Sequence, residues 1–209
     1  MVRDGRVRAV IPPAFLRAVM RHESGGNPRA VSPTGARGLM QITRGARETF
    51  NRATGARWSA DDLFRPDVSV TIGAWLLRVI ARSYARHHPR SLATDWGDAR
   101  WLQLLVLGWN RGFSEEGGVG KVVGALEREG WRPEAITARA VVANAARFGA
   151  ARTLYDDPAA HVRWSGDVVA TYMGARPRLA DAARAGAGPV GVVAGLALAT
   201  AIGVAWVRR

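Results

Sequence analysis

HESGGNPRAVSPTGARGLMQI, from His22 to Ile42, is the stretch on which the reading of this 209-residue chain turns. It sets one carboxylate, Glu23, where a helical pattern gives way to a polar, glycine-rich loop. Upstream, Pro12 and Pro13 open a run in which Phe15, Leu16, Val19 and Met20 recur at helical spacing, and Gly25 and Gly26 stop it. Glu23 is therefore expected in the last turn of a helix with one buried face. The helix macrodipole disfavours an anion at a C-terminus, and the same field favours the neutral acid. Desolvation by apolar neighbours such as Met40 would act in the same direction, which suits a general acid. Taken alone, a Glu after a helix is more often a solvated residue at a frayed end.

The segment as a whole weighs against that plainer reading. Glu23-Ser24-Gly25, then Ala30, Ser32, Gly35-Ala36 and Gly38-Leu39-Met40-Gln41-Ile42 resemble, densely and in order, the signature of lytic transglycosylases with the soluble-lytic-transglycosylase type of lysozyme-like domain. The resemblance implies Glu23 as the catalytic residue and places Ser24, Ser32, Met40 and Gln41 at the substrate site. Each residue type has a physical use there. Ser24 offers a hydroxyl beside the acid, the glycines permit turns and close approach, Gln41 supplies amide donors and acceptors, and Met40 an adaptable apolar wall.

Two further segments carry the same resemblance. Asp62-Leu63-Phe64, Pro66-Asp67, Ile72-Gly73-Ala74 and Leu76-Leu77 look like the family's second block. Ile72, Leu76, Val79 and Ile80 have core-facing spacing, so the block reads as structural. Ser69 stands where the family often has Asn, and a shorter side chain is expected to rebuild the capping or bridging hydrogen bond. Leu104 to Gly112, LLVLGWNRG, resembles the family's aromatic-Asn-Ala-Gly motif after an apolar helix. Trp109 replaces the usual Tyr and Arg111 the usual Ala, while Asn110 and Gly112 keep the pattern. The resemblance implies that the Asn110 amide holds a sugar N-acetyl group. Trp109 reads equally as a stacking surface for a pyranose and as the end of the helix's buried stripe. Arg111 reads as a ligand for a lactyl or peptide carboxylate, or as one more solvated arginine. Beyond Gly130 the likeness thins. A final aromatic-Val helix near the cleft would correspond to Ala160 to Arg163, with His161 in the usual Tyr position and Tyr172 later on the same helix.

The activity implied is non-hydrolytic cleavage of the β-1,4 bond between N-acetylmuramic acid and N-acetylglucosamine in peptidoglycan, leaving 1,6-anhydromuramic ends. Glycosidases generally pair two carboxylates. Here Glu23 is the acid embedded in such a motif, whereas Asp61, Asp62, Asp67, Asp95, Asp98, Glu115 and Glu116 fall in contexts resembling caps, turns or surface. A single acid suffices if the substrate's own N-acetyl group attacks the anomeric carbon. Two other functions share these motifs: a lysozyme-type muramidase that admits a water, and a silent peptidoglycan-binding part of an envelope or virion. No cofactor is implied. With no Cys and no His pair at i, i+4 beside a matching acid, no metal site is expected either.

Composition sets the outer limits. Helical periodicity and few alternating strand patterns predict an all-α fold, a lysozyme-like helical domain over residues 1–180. The formal charge of +13 is carried almost wholly by arginine, with Lys121 as the lone lysine, and draws the protein to anionic polymers. The arginines are scattered rather than gathered into an arm or recognition helix, so no specific nucleic-acid partner is expected. Pro189 to Val207 is uncharged and apolar all round, ending at Trp206 and Arg208-Arg209; with a Gly-rich hinge at 181–188, it predicts a C-terminal transmembrane helix over 189–207. Ala187, Gly191, Gly195, Ala199 and Gly203 recur every fourth residue, a ridge through which two such helices would self-associate. Met1 to Val10 is basic and too poor in apolar residues for a secretory leader. The expected location is a membrane anchorage facing peptidoglycan, in the bacterial envelope or on the internal membrane of a phage virion.

Overall fold

The computed structural model describes residues 10–184, with side chains through 175. Among these residues the regular structure is helical: α1 (Pro13–Ser24), α2 (Arg44–Thr54), α3 (Pro66–His87), α4 (Ala99–Arg111), α5 (Val119–Arg128), α6 (Ala138–Asn144) and α7 (Pro158–Arg184), with short 3-10 turns at Asp61–Phe64, Pro133–Ala135 and Arg152–Leu154. Extended pairing among them is confined to two isolated bridges, Val31 with Arg37 and Arg37 with Ile42. The all-α expectation holds.

Local chemistry sets the helix ends. Pro13 opens α1, where a missing N–H costs nothing, and Gly25, at φ 62°, ends it in a conformation other residues resist. Thr43, Asp98 and Thr137 cap α2, α4 and α6, each side-chain oxygen accepting a first-turn backbone N–H at 2.8–3.2 Å. Gly55 closes α2 in the left-handed conformation.

Contacts divide the chain into two compact units, Met1–Ala18 with Leu76–Tyr172 and Val19–Trp75 with Met173–Arg209. In the first, α4, α5 and α6 pack on one another. Their core is formed by Trp101, Leu102, Leu104, Leu105, Val122, Leu126 and Val141, each with no exposed surface. Burying a Leu or Val side chain contributes about 1.5–3 kcal/mol, so this apolar run is the principal stabiliser of the unit. Phe15, Trp96, Trp101 and Tyr172 extend the core as a chain of edge-to-face rings 5.1–5.4 Å apart. In the second unit Met40, Ile42, Leu63, Val68 and Ile72 are buried, and Phe50 of α2 meets Trp75 of α3 edge-on at 5.4 Å.

No helix among the described residues is long and apolar enough to cross a membrane. The expected span at 189–207 and its small-residue ridge lie outside those residues. Of the expected hinge, residues 181–184 are helical as the end of α7, and 185–188 also lie outside.

Candidate active site

Glu23 sits in the last turn of α1, half-buried, one residue before Ser24 ends the helix. The local geometry around it is made by the loop that returns from Gly25 to Ile42. Ser24 Oγ lies 3.1 Å from the Met20 carbonyl one turn back and 2.9 Å from the Leu39 carbonyl, and accepts the Gly26 N–H at 3.2 Å. Expected to act beside the acid, this hydroxyl instead ties the end of the Glu23 helix to the far side of the loop.

The loop is held from several other points. Gln41 Nε2 donates to the carbonyls of Ala30 at 3.2 Å and Gly38 at 3.0 Å. Its own φ of 44° is the one positive value at a non-glycine among the described residues. Such a conformation costs on the order of 1–3 kcal/mol and survives only where surrounding bonds impose it. Arg37 and Ile42 exchange both backbone bonds, at 3.1 and 2.9 Å. Ser32 Oγ accepts the Ala36 N–H at 3.0 Å and pairs with Thr34, so Ser32 shapes a turn within the loop.

α3 supplies the floor. The Met40 N–H donates to Ser69 Oγ at 3.1 Å, and Ser69 is completely buried, so the shorter side chain does make the bridging bond expected of it. Gly38 is needed twice over: its φ is 76°, and a Cβ there would collide with the Leu63 carbonyl. Gly73 leaves the space that Met40 fills, since a Cβ at 73 would lie 2.6–3.0 Å from the Met40 side chain. Met40, read from sequence as a wall offered to the ligand, is 0 % exposed and belongs to the core beneath the loop. It therefore supports Glu23's surroundings from below and presents no surface to a substrate.

In the other unit, Asn110 stands exposed in the last turn of α4. Gly112, at φ 95°, ends the helix with its N–H on the Gly108 carbonyl at 3.0 Å. Trp109 is half-buried. The Arg111 side chain is half-buried too, with Nε shielded from solvent and no acceptor for it. This departs from the reading of Arg111 as freely solvated.

His161 and Tyr172 are nearly buried, each being 3 % exposed. His161 Nε2 meets Asp156 Oδ1 at 2.6 Å, and this bond, aided by the nearby charge of Arg111, holds the Asp156 carboxyl below its usual range. The Tyr172 hydroxyl donates to the Trp96 carbonyl at 3.2 Å, and its ring packs on Phe15. Both are built into their unit's interior and have no surface for a sugar. One buried group went unread in the sequence: His88, seen only as half of an adjacent histidine pair, has carboxylates at both ring nitrogens.

The described geometry thus places a half-buried acid at a helix end, braced by a strained and heavily bonded loop, and an exposed amide at a second helix end. The model of the transglycosylase SLT domain family matches residues 2–126. The chain belongs to that family. A similar protein is the membrane-bound lytic murein transglycosylase F of Serratia proteamaculans (strain 568), 35 % identical over 98 residues, which are 46 % of this chain and 17 % of that protein. The chain thus covers less than a fifth of this relative. No solved structure matches the present chain. The SLT match takes in the Glu23 loop, the Ser69 helix and the Asn110 segment, and it ends before His161 and Tyr172, where burial also argues against a substrate role.

Proposed function

We propose that this chain is a peptidoglycan lytic transglycosylase in which Glu23 serves first as acid and then as base. The observation that carries the reading is the position of Glu23 on the closing turn of α1, held against the SLT loop by the Ser24–Leu39 bond. Among the catalytic schemes open to a single acid, the substrate-assisted one balances without a second carboxylate. The oxygen of the muramic 2-acetamido group attacks carbon 1 as Glu23 gives its proton to the departing glycosidic oxygen. Glu23, now a carboxylate, takes the proton of the 6-hydroxyl, and oxygen 6 closes on carbon 1 while the acetamide is restored. No water is consumed, and Glu23 ends protonated as it began.

Asn110 is the residue proposed to hold the N-acetyl group, because its amide has both donor and acceptor and stands exposed at the end of α4. Gly112 frees the backbone there, and Trp109 offers its ring face for stacking on a pyranose. The lysozyme-like arrangement of the helices belongs to the same proposal. So does attachment to a membrane through residues 189–207, in an envelope or a virion, with the small-residue ridge as its self-association surface; replacing Gly195 with Ile should then lower the oligomeric state in detergent.

The test is digestion of purified peptidoglycan by the chain and its Glu23→Gln variant, with fragments read by mass spectrometry. Anhydromuramic ends from the unmodified protein alone are the expected result. Reducing ends carrying an added water would identify a muramidase, and binding without fragments a silent wall-binding module.

A further inference from the structure

Helix α4 ends on Asn110 and Arg111, and Gly112 follows. Asn110 is exposed, Arg111 is half-buried, and a Cβ built on Gly112 would meet nothing within 4 Å, so the surface beside the two side chains is open. Arg111 is the anomaly among them. Its Nε is shielded from solvent and has no acceptor. A buried N–H without an acceptor is destabilising, and a guanidinium drawn toward the interior is ordinarily paired. Arg47 shows the contrast within this chain: its Nε is orphaned in the same way, but its Nη2 meets Glu48 at 3.4 Å. Among the described residues the Arg111 guanidinium makes no hydrogen bond or ion pair.

One carboxylate does feel its charge. Asp156 is held below the usual carboxylate range by His161 first, and the Arg111 charge adds to that effect. Its Oδ1 already meets His161 Nε2 at 2.6 Å and accepts the Asp157 N–H at 2.9 Å. Asp156 thus tempers the Arg111 charge from a distance and leaves its donors unfilled.

A guanidinium presents a planar fork of N–H groups that matches a carboxylate bidentately. On an N-acetylmuramic ring the acetamido group stands on carbon 2, and the lactyl ether, which ends in a carboxyl group, stands on carbon 3. Consecutive helical positions diverge by about 100°, so neighbouring side chains address different substituents of a ring rather than one. With the acetamido group at Asn110, the next substituent falls to the next residue. We infer that Arg111 is a specificity-determining residue, whose guanidinium binds a carboxylate carried on carbon 3 of the muramic ring held by Asn110. That carboxylate is the lactyl group's own where no stem peptide is attached, or one belonging to the peptide where it is. N-acetylglucosamine has only a hydroxyl at carbon 3, so the same contact fixes which sugar of the alternating strand lies at Asn110. The inference rests on the reading of Asn110 as the ligand of the N-acetyl group.

The experiment measures equilibrium binding of the full chain carrying Glu23→Gln, which spares the ligand from cleavage, to oligosaccharides of alternating N-acetylglucosamine and N-acetylmuramic acid. They are used peptide-stripped and peptide-bearing, each with its carboxylates free or converted to amides. The expected result is a dissociation constant about tenfold lower for the free acid than for its amide. Adding Arg111→Ala should bring that ratio to about one. Arg111→Lys keeps the charge without the fork and should fall between, which carries the comparison if Arg111→Ala does not fold. Arg90→Ala controls for bulk charge. Arg90 is exposed and adjoins Ser91, whose carbonyl accepts from Arg100 in the first turn of α4 at 3.0 Å, so it lies by the opposite end of that helix and its loss should keep the full ratio.

A preference for the acid in peptide-stripped strands assigns the lactyl carboxylate, and a preference seen only in peptide-bearing strands assigns the peptide's. A purely structural Arg111 would weaken acid and amide alike, so a ratio unchanged by Arg111→Ala would overturn the inference. A ratio near one before any change at Arg111 would do the same, while anhydromuramic ends made by the chain with Glu23 intact would leave the proposed reaction standing. No binding of any of these ligands would remove the reading of Asn110 and the inference with it.

Discussion

The hydroxyl of Ser24 and the carbonyl of Leu39 lie 2.9 Å apart across fifteen residues of sequence. This bond joins the turn that carries Glu23 to a loop otherwise held by Gln41 and Ser69. The same oxygen also lies within bonding distance of the Met20 carbonyl in α1 and accepts from Gly26, so the single Ser24 proton is committed to backbone carbonyls and one of its two lone pairs to a backbone N–H. On the proposed reading of Glu23 as the acid, Ser24 acts through the position of its neighbour.

Ser24→Ala should therefore lower both stability and activity without changing the product. Losing a hydrogen-bonded hydroxyl and leaving the Leu39 carbonyl unmatched costs about 1–3 kcal/mol. A displaced acid should lower kcat/KM by about tenfold to a hundredfold, since misplacement on the order of 1 Å has that effect. Denaturant unfolding and mass-resolved digestion check the two parts. Unchanged kcat/KM with the stability loss present would show that Glu23 does not depend on this tie.

Gly73→Ala tests the assignment of Met40 to the core. Met40 Cβ, Cγ and Cε would all lie within 3.0 Å of the new methyl, so the side chain cannot escape by moving its tip alone. Overpacking of this kind costs about 1–3 kcal/mol. Pairing it with Met40→Val should recover part of that loss, a coupling visible in a double-mutant cycle of unfolding free energies. Were Met40 a wall of the substrate site, Met40→Val alone would raise KM more than it lowers stability.

How far these relationships were legible in the sequence depends on their range. The ends of α1 were readable because Pro13 and Gly25 act through their own backbone preferences. The bridging role of Ser69 was readable as a place where a bond is needed, though not its donor, since Met40 offers a backbone N–H such as nearly every residue has. The Leu39 acceptor was invisible for the same reason. Met40, His161 and Tyr172 read as ligand-facing from sequence and are buried or nearly so in the structure, because residue type alone does not separate an apolar or aromatic wall from a core. Burial does, and it depends on residues far along the chain: Gly73 lies 33 positions from Met40, and Trp96 lies 76 from Tyr172. The contacts of His88 with Glu115 and Glu127 join three segments, and adjacency of His87 and His88 says nothing of either carboxylate.

Asp156 gives a pH prediction with a defined sign. The bond from His161 first, and then the neighbouring backbone N–H and the Arg111 charge, hold its carboxyl below the usual carboxylate range in the folded protein. A carboxyl depressed on folding contributes stability above its unfolded pKa, about 3.9, and loses it as pH falls through the lower folded value. The melting temperature of the unmodified protein should accordingly exceed that of Asp156→Asn above about pH 4 and converge with it in stronger acid. Because the carboxylate is exposed, the difference should shrink in high salt. A gap that persists unchanged to the acid limit would mean that Asp156 acts through shape rather than charge.

Tyr172→Phe separates an interior role from a sugar-binding one most cleanly, because it removes a single oxygen. That oxygen donates to the Trp96 carbonyl, and the ring that carries it is 3 % exposed against Phe15. Deleting the hydroxyl leaves the ring packing intact and the Trp96 carbonyl short of one donor, a loss of about 1 kcal/mol. Stability should fall by that amount, while kcat and KM on peptidoglycan stay at the level of the unmodified protein. A Tyr hydroxyl that held an N-acetyl or hydroxyl group of the glycan would behave in the opposite way, raising KM with little change in unfolding free energy. Measuring both quantities on the one variant therefore separates the two roles.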